Sequence, residues 1–585
     1  MLRKLARVPK CRTSSIGTAS TSSNGFFCTH AIPSIERGEH LVTPVSHVPS
    51  TVYVNPICLQ MDQTILKASC PEDLLTILAT HRGVLFVHNL VTAITSLAIM
   101  SEQAAPFSTS KKLNFPEEFE KTQRDKLLAD HRYSLLIQDL IEYSGKLDLG
   151  SIDQILSAVQ RLDHCHYRLF GSLLRRVYSL ELAPADLSTA ISVGQALEWA
   201  GFAKAQTYFQ RLSDLVAQEA DKMSNRDLLN ALVLFSKISS VFPSVLSVAS
   251  LSLQGRIPQL PDRQLGIAAI AVSEYGNIVP AATATVDLIA SAMCSRSPPL
   301  RDMIRVSVAL RRCNVFHAEL LAKSWRSVMS ELEIHTSARE RMEASVASIS
   351  DIATLVESCA HFGHVTAADL REQVLPYILD NLDVVTEESA IKLLLGLAMA
   401  PEAVTAVTAP TVALLIRKIA AATDSWERHM LKIICIIFSK IMNFDFVDAE
   451  FRKLVVDASL AHWLMDRRGY GVPYPELSEP LFLAMREEFS DQKMLFNEWI
   501  PNSPFNADIL LPDARVVVLV LSRFASNGGL VGVDLLQQKL IQQLGWTVVP
   551  VDRNLIRAAQ LGCAGLLGEI HTVLGTSNPN PYPLA

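Results

Sequence analysis

The sequence predicts a mostly α-helical protein: a right-handed α-solenoid of helical-hairpin repeats followed by a small C-terminal α/β module. Three observations predict it. Apolar residues recur at three- and four-residue spacing through most of the chain, which is the helical period. Similar helix starts return at Asp186, Asp227, Gln264, Asp302, Asp351 and Ser389, in sequence steps of 41, 37, 38, 49 and 38, and periods of this size mark stacked helix pairs. The period then changes near the C-terminus. There Val516-Val517-Val518-Leu519-Val520-Leu521 is a continuous apolar, β-branched run suited to a strand buried on both faces.

Composition supports a large core. Of 585 residues, 49% are hydrophobic, 19% charged and 7% aromatic, a helix-packing mixture long enough for two to four domains. The most apolar stretches are Leu85 to Met100 and Leu431 to Met442. The first is interrupted by His88 and Asn89, the second by Lys432, Ser439 and Lys440. Neither supplies the roughly 18 clean apolar residues of a membrane helix, so no membrane span is expected. The ten cysteines are scattered without a CxxC, which points to reduced thiols rather than a disulfide framework or a zinc site.

In chain order, residues 1–30 carry Arg3, Lys4, Arg7, Lys10 and Arg12, then a run of Ser and Thr, and the first acid is Glu36. An Arg- and Ser-rich, acid-free start is the pattern of a mitochondrial transit peptide, which sets the expected location as the mitochondrial matrix; a disordered tail is the alternative. Without those five bases the chain holds 48 Lys+Arg against 59 Asp+Glu, a net charge of −11. A global basic footprint for nucleic acid is therefore absent. No DNA partner is expected, and any RNA surface must be a local stripe.

Residues 31–60 read as a linker punctuated by Pro33, Pro44, Pro49 and Pro56, and residues 61–150 as an N-terminal helical region. Within that region Pro71 opens a helix through Leu78, since proline suits the first turn, and residues 101–125 read as an exposed loop. Residues 151–442 are the repeats. Each first helix is followed by a second, as in Pro243 to Leu253, Ala281 to Met293 and Thr411 to Ala421. One helix pair cannot bury its apolar face alone, whereas stacked neighbours can; the alternative is an irregular helical bundle. Residues 443–504 are expected to form a helical collar supplied with aromatics such as Phe444, Phe446, Trp463 and Trp499. Residues 505–575 form the α/β module, and 576–585 a tail. In the module Ala507 to Leu511 predicts a strand, Pro512-Asp513 its turn, and Asp534 to Leu544 a helix. Gly545 takes the C′ position, and Trp546 to Val551 reads as the last strand.

Little catalytic chemistry is visible. His164 and His166, read on a helix, point about 200° apart and cannot share an ion as i,i+4 residues do. His361 and His364 flank Gly363 and read as a helix end. No Walker motif, GxGxxG or GxSxG occurs, so no cofactor, metal or catalytic residue is expected. The remaining polar signal is a set of basic pairs: Arg175-Arg176, Arg311-Arg312, Arg417-Lys418, Arg452-Lys453 and Arg467-Arg468. On the concave side of a solenoid they would form a phosphate track; otherwise they are solvated helix faces.

The terminal module resembles a RAP domain, the module found at the C-terminus of organellar RNA-binding proteins and of the FAST-kinase-like family. The matching pieces are a strand carrying Asp508, the apolar strand Val516 to Leu521, a Leu-rich helix, and Gly545-Trp546-Thr547-Val548-Val549. The motif residues are thus Asp508, Gly545, Trp546, Val548 and Val549. The resemblance covers about seventy residues, and the repeats before it are similar to heptatricopeptide or octotricopeptide arrays. It implies a PD-(D/E)XK-nuclease-like fold. It also implies an organellar RNA-binding protein, with ribosomal or messenger RNA as partner. The acidic body adds the expectation of a scaffolded setting in which proteins share the RNA contacts, as a component or assembly factor of the mitochondrial ribosome with ribosomal or ribonucleoprotein proteins as partners. A nuclease of that shape needs clustered carboxylates for a divalent metal. Asp508 matches the first, but Leu519 to Leu521 offers no second, so the module is expected to bind rather than cut. The RNA-binding candidates are Arg311, Arg312, Arg417 and Lys418 in the repeats and Arg523, Lys539, Arg553 and Arg557 in the module. Trp546 reads as core rather than a stacking platform. A protein–protein scaffold and a RAP-type endoribonuclease stay open as alternatives.

Overall fold

The computed structural model describes residues 55–103 and 124–420 (apart from 203–204, 239–241, 275, 277–278, 338–347 and 406), then 475–501, 506–521 and 530–552. The expectations for the transit peptide, most of the linker and collar, Arg523, Arg553, Arg557 and the tail lie outside these residues.

The described chain is mostly helical, with one small sheet near its C-terminus. In order, the helices begin with α1 (Pro56–Leu66), α2 (Pro71–His81), α3 (Val87–Gln103), α4 (His131–Glu142), α5 (Leu149–Arg161) and α6 (Tyr167–Ser179). Then come α7 (Leu187–Trp199), α8 (Gln206–Glu219), α9 (Asn225–Lys237), α10 (Pro243–Gln254), α11 (Asp262–Ser273) and α12 (Pro280–Cys294). They continue with α13 (Leu300–Cys313), α14 (Ala318–Ser337) and α15 (Ile349–His361). A three-piece helix, α16, follows: Ala367–Asp369, a π-turn Leu370–Val374 and Leu375–Asp380. α17 (Glu387–Met399) and α18 (Ala409–Ala420) complete the series.

These helices pack in two rows. Each odd-numbered helix from α1 to α17 contacts the next odd one, and each even-numbered helix from α2 to α18 contacts the next even one. From α5 onward the odd helices begin at Leu149, Leu187, Asn225, Asp262, Leu300, Ile349 and Glu387. The step between starts is 37 or 38, except for one of 49 after Leu300, which contains the 20-residue α14. The N-terminal helices α1 to α4 belong to the same two rows.

Five of the six recurring polar residues that announced the repeats share one position, and the sixth, Asp186, directly precedes α7. Asp227, Gln264, Asp302, Asp351 and Ser389 are each the third residue of their helix. In three of the five the side chain of the residue before the helix accepts their amide: Ser224 for Asp227, Ser348 for Asp351 and Thr386 for Ser389. Such a cap satisfies an amide that has no partner inside the helix and is worth about 1 kcal/mol. Small residues in mid-helix then let the odd row close up. A Cβ added at Gly194 of α7 would lie 2.7 Å from Leu234 Cδ2 of α9.

After this array, α19 (Pro475–Glu488) leads into four strands, β1 (Leu495–Trp499), β2 (Asn506–Leu511), β3 (Val516–Leu521) and β4 (Thr547–Asp552), with α20 (Gly532–Gln543) between the last two. The sheet order is β1-β2-β3-β4, antiparallel except for the β3–β4 pair, which the α20 crossover makes parallel. β3 is buried along its whole length, as its apolar run predicts. Val516, Val518 and Val520 pack with Leu481, Met485 and Phe489 on one face, and Val517, Leu519 and Leu521 with Ile541 on the other. β1 corrects the expectation of an all-helical collar, because this edge strand lies inside residues 443–504. Its residues are half-buried or exposed, so it lacks the apolar signature of a core strand. Gly545 has φ 80° and closes α20 as expected, with the Trp546 amide reaching Ile541 O at 3.3 Å.

Candidate nucleic-acid interface

Of the described predicted cations, Arg311, Arg312, Lys418 and Lys539 are used inside the molecule. At the rim where the odd helices end, Arg312 of α13 pairs with Glu274 beside α11, and Arg311 with Glu357 of α15. Lys237 of α9 pairs with Glu198 of α7 at 3.2 Å in the same manner. Each pair joins neighbouring odd-row helices at the C-terminal end, where a cation also meets the negative end of the helix dipole. A guanidinium bridging two helices cannot take a phosphate without giving up that pair. Lys418 of α18 donates to Leu382 O at 2.6 Å and Asp383 O at 3.4 Å, in the turn after α16. Arg417 beside it is exposed.

Lys418 is one of a series. Arg176, Arg211, Arg256, Arg296, Lys323 and Lys418 each donate to backbone carbonyls in the turn that follows an earlier even-row helix. Arg256 is the fullest case, reaching Met223 O at 2.5 Å, Ala220 O at 2.9 Å and Asp221 O at 2.8 Å. Arg296 repeats it one turn on, at Leu260 O and Pro258 O. Carbonyls at a helix C-terminus have no partner inside the helix, and hydrogen bonds to a charged donor contribute about 1.5–3 kcal/mol. These bases are struts. The search for adjacent basic pairs picked out Arg176 and Lys418 as surface charges and passed over Arg211, Arg256, Arg296 and Lys323. Their positions along the helices vary, from Arg211 and Lys323 inside α8 and α14 to Arg256 and Arg296 just after α10 and α12, so no fixed spacing marks them in the sequence.

In the terminal module Lys539 of α20 donates to Met399 O, the last residue of α17, at 3.1 Å. Around that bond α20 docks on the ends of the odd helices. Leu536 belongs to the core of the array, and Leu535 packs against it. Gly532 has φ 59°, and a Cβ there would lie 2.6 Å from His361 Nδ1 at the end of α15. His361 Nε2 in turn is 3.0 Å from Asn314 Oδ1. Trp546 is half-buried against the sheet core beside Val548, while Val549 packs on the opposite face.

Asp508 is 7% exposed on β2. Its Oδ2 accepts the Val520 amide at 2.9 Å, while Oδ1 has no partner among the described residues. The carboxylate stands in for a ladder carbonyl where the strand breaks its alternation. Ala507 and Leu510 join one core cluster and Ile509 and Leu511 the other. Across from it, the β1–β2 register passes over Asn497, which has φ 52°. Burial is the main influence on Asp508 and pushes its pKa from 3.8 up to about 6, against hydrogen bonds from Val520 and Ser478 that favour the anion. The neighbouring β3 residues are all buried Val and Leu. No protein-family model matches this chain, and neither does any curated protein.

His164 and His166 correct the helical reading of that stretch. Asp163 takes φ 52° and ends α5, so both histidines lie in the turn before α6. His164 Nδ1 meets the buried Tyr133 hydroxyl at 2.8 Å, and His166 Nδ1 accepts the Leu169 amide at 3.2 Å as the cap of α6. Burial lowers both pKa values. Among the described residues no group of three or more His, Cys, Asp and Glu is placed to hold a metal ion, and no helix is long and apolar enough to cross a membrane.

Proposed function

We propose that this protein is a non-catalytic RNA-binding protein of the mitochondrion, built as a right-handed α-solenoid closed by a RAP-like, nuclease-shaped module. Its RNA is ribosomal or another organellar RNA, and it acts as a component or assembly factor of the mitochondrial ribosome. The observation that carries the reading is the two-row array of helix pairs returning at a near-constant step, joined to a mixed sheet with a buried aspartate on its second strand. Repeat arrays offer extended surfaces to extended ligands. The acid-free, Arg- and Ser-rich stretch 1–30 supports the mitochondrial setting. The all-apolar β3 beside Asp508 supports binding over cleavage, because metal-assisted hydrolysis needs clustered carboxylates.

One observation favours a second reading, a protein–protein scaffold without direct RNA contact. Arg311, Arg312, Lys418 and Lys539 are engaged within the chain, and the body is acidic. Sedimentation of mitochondrial lysate with and without ribonuclease separates the two. RNA binding predicts comigration with a large particle, loss of that comigration after digestion, and RNA crosslinks above an untagged control. Complexes that survive digestion, with no crosslinked RNA, establish the scaffold instead.

A further inference from the structure

The even-row helices α8, α10, α12 and α14 pack side by side, each on the next. Their ninth residues are Asp214, Leu251, Leu288 and Arg326, in sequence steps of 37, 37 and 38. All four are exposed, Leu251 by 55% and Leu288 by 46%. Standing at one height on adjacent helices, they form a row across the solvent face: acid, leucine, leucine, base. Around the two leucines, α10 and α12 show Ser244, Ser247, Ala284 and Ser291, small and uncharged. Asp287 is a charge on this part of α12. Thr285 faces α10, accepting from Gln254 at 3.0 Å, so Asp287, about 200° further round the helix, leans toward α14 and Arg326.

The two charged ends of the row are engaged only within their own helices. Arg326 donates from Nε to Ala322 O at 3.2 Å, and Asp214 Oδ1 accepts from Gln210 at 2.9 Å. Scattered exposed leucines need no explanation, but this order is self-complementary. Consider a two-fold axis lying in the face, parallel to the helices and between α10 and α12. It reverses the row and keeps each residue's height along its helix. Leu251 then meets Leu288 of the partner subunit, and Asp214 meets Arg326 of the partner subunit. Ser247 meets Ala284 of the partner subunit, both being fifth in their helices. Every contact is made twice, as an isologous interface requires. A shift by one helix would set leucine against charge, and an axis along the row would set Asp214 against itself. Four helices about 20 Å long and about 9 Å apart give a face of roughly 700 Å² per subunit. That is close to the roughly 800 Å² per partner of a stable interface.

We propose that the solvent face of α8, α10, α12 and α14 is a homodimer interface, and that its occupant is a second copy of this chain. The leucines and the small residues around them form its apolar centre. The Asp214 and Arg326 pairs lie at its two edges, where partly exposed ion pairs set register more than affinity. The proposal is independent of the RNA-binding reading, because it rests on the outward residues of four even-row helices and on no nucleic-acid contact.

The test is sedimentation equilibrium of the purified full chain, free of nucleic acid, across the micromolar range. Wild-type protein should pass from monomer to dimer as concentration rises. Leu251→Glu and Leu288→Glu change exposed residues, so each should keep the melting profile, and each should weaken dimerisation by roughly tenfold or more by setting a carboxylate against leucine. Asp214→Arg alone and Arg326→Glu alone turn two unlike pairs into two like pairs and should each weaken it by about tenfold at low salt. D214R/R326E restores unlike pairs across the axis and should recover wild-type dimerisation, a rescue that only contact between residues 214 and 326 of two copies produces. A chain that stays monomeric throughout overturns the proposal and leaves the face to a different protein. A dimer unaffected by the folded glutamate variants, or a double exchange as weak as the single ones, overturns it as well.

Discussion

Replacing Asp508 by asparagine should stabilise this protein at neutral pH, an unusual direction for a change at a buried polar residue. The buried carboxyl titrates near 6 in the folded chain against 3.8 ordinarily. At 1.36 kcal/mol per pH unit, holding it ionised costs about 3 kcal/mol. The sign follows from proton linkage. A folded pKa above the unfolded one means that the folded state binds more protons between pH 4 and 6, so stability falls as pH rises through that window. An asparagine at this position would keep an oxygen for the Val520 amide and carry no charge. D508N should therefore exceed wild type by up to about 3 kcal/mol at pH 8 and match it below pH 4. D508A leaves the Val520 amide unpartnered and should be less stable than D508N by about 1–3 kcal/mol. Urea unfolding at several pH values, with hydrogen exchange at Val520 as the local probe, measures both. A D508N variant less stable than wild type at pH 8 would refute the reasoning. It would mean that the cost of burying the asparagine NH2 beside the unpartnered Oδ1 position exceeds the gain from removing the charge.

Other outcomes follow from the same contacts. Lys539→Met should loosen α20 by about 1.5–3 kcal/mol through loss of the Met399 carbonyl bond, read as faster hydrogen exchange in α20 with the array unchanged. Gly532→Ala should also undock α20, because the new Cβ meets His361 and φ 59° is strained for alanine, and limited proteolysis between the array and the module would detect it. Arg256→Ala should cost about 2 kcal/mol or more through three carbonyls left without their donor, a loss visible in a thermal melt. The His164–His166 turn should weaken in acid. Both folded pKa values lie below the usual 6.5, so their contribution is full above 6.5 and is lost as pH falls from there through the folded values. His166→Asn keeps a capping oxygen and should flatten that part of the pH profile.

What the sequence made legible follows from where each signal resides. Helix starts were readable because a cap and a third-position polar residue are local, as Ser224 and Asp227 or Ser348 and Asp351 demonstrate. β3 was readable because burial on both faces writes a continuous apolar run. β1 was not, because an edge strand draws its order from the partner across the ladder, and Asn497 and Glu498 in its middle carry no apolar period. The His164 turn was misread because its cause is the left-handed backbone conformation at Asp163, a position that aspartate favours but does not by itself announce. The cations were misjudged for a different reason. Adjacent bases such as Arg311 and Arg312 look like a patch, but on a helix consecutive residues diverge, and these two reach opposite neighbours, Glu357 and Glu274.

The distribution of charge between the two rims links packing to function. Every helix end leaves carbonyls without intrahelical partners, and a repeat array multiplies that demand by the number of repeats. This chain meets it with Arg and Lys from the neighbouring pair, which removes those bases from any ligand. The ends of the odd helices are further closed by ion pairs and by α20, whose leucines enter the array core. The starts of the odd helices have the opposite requirement, because their free groups are amides, and the side chains of Asn55, Asp148, Ser224, Ser348 and Thr386 each satisfy one at α1, α5, α9, α15 and α17.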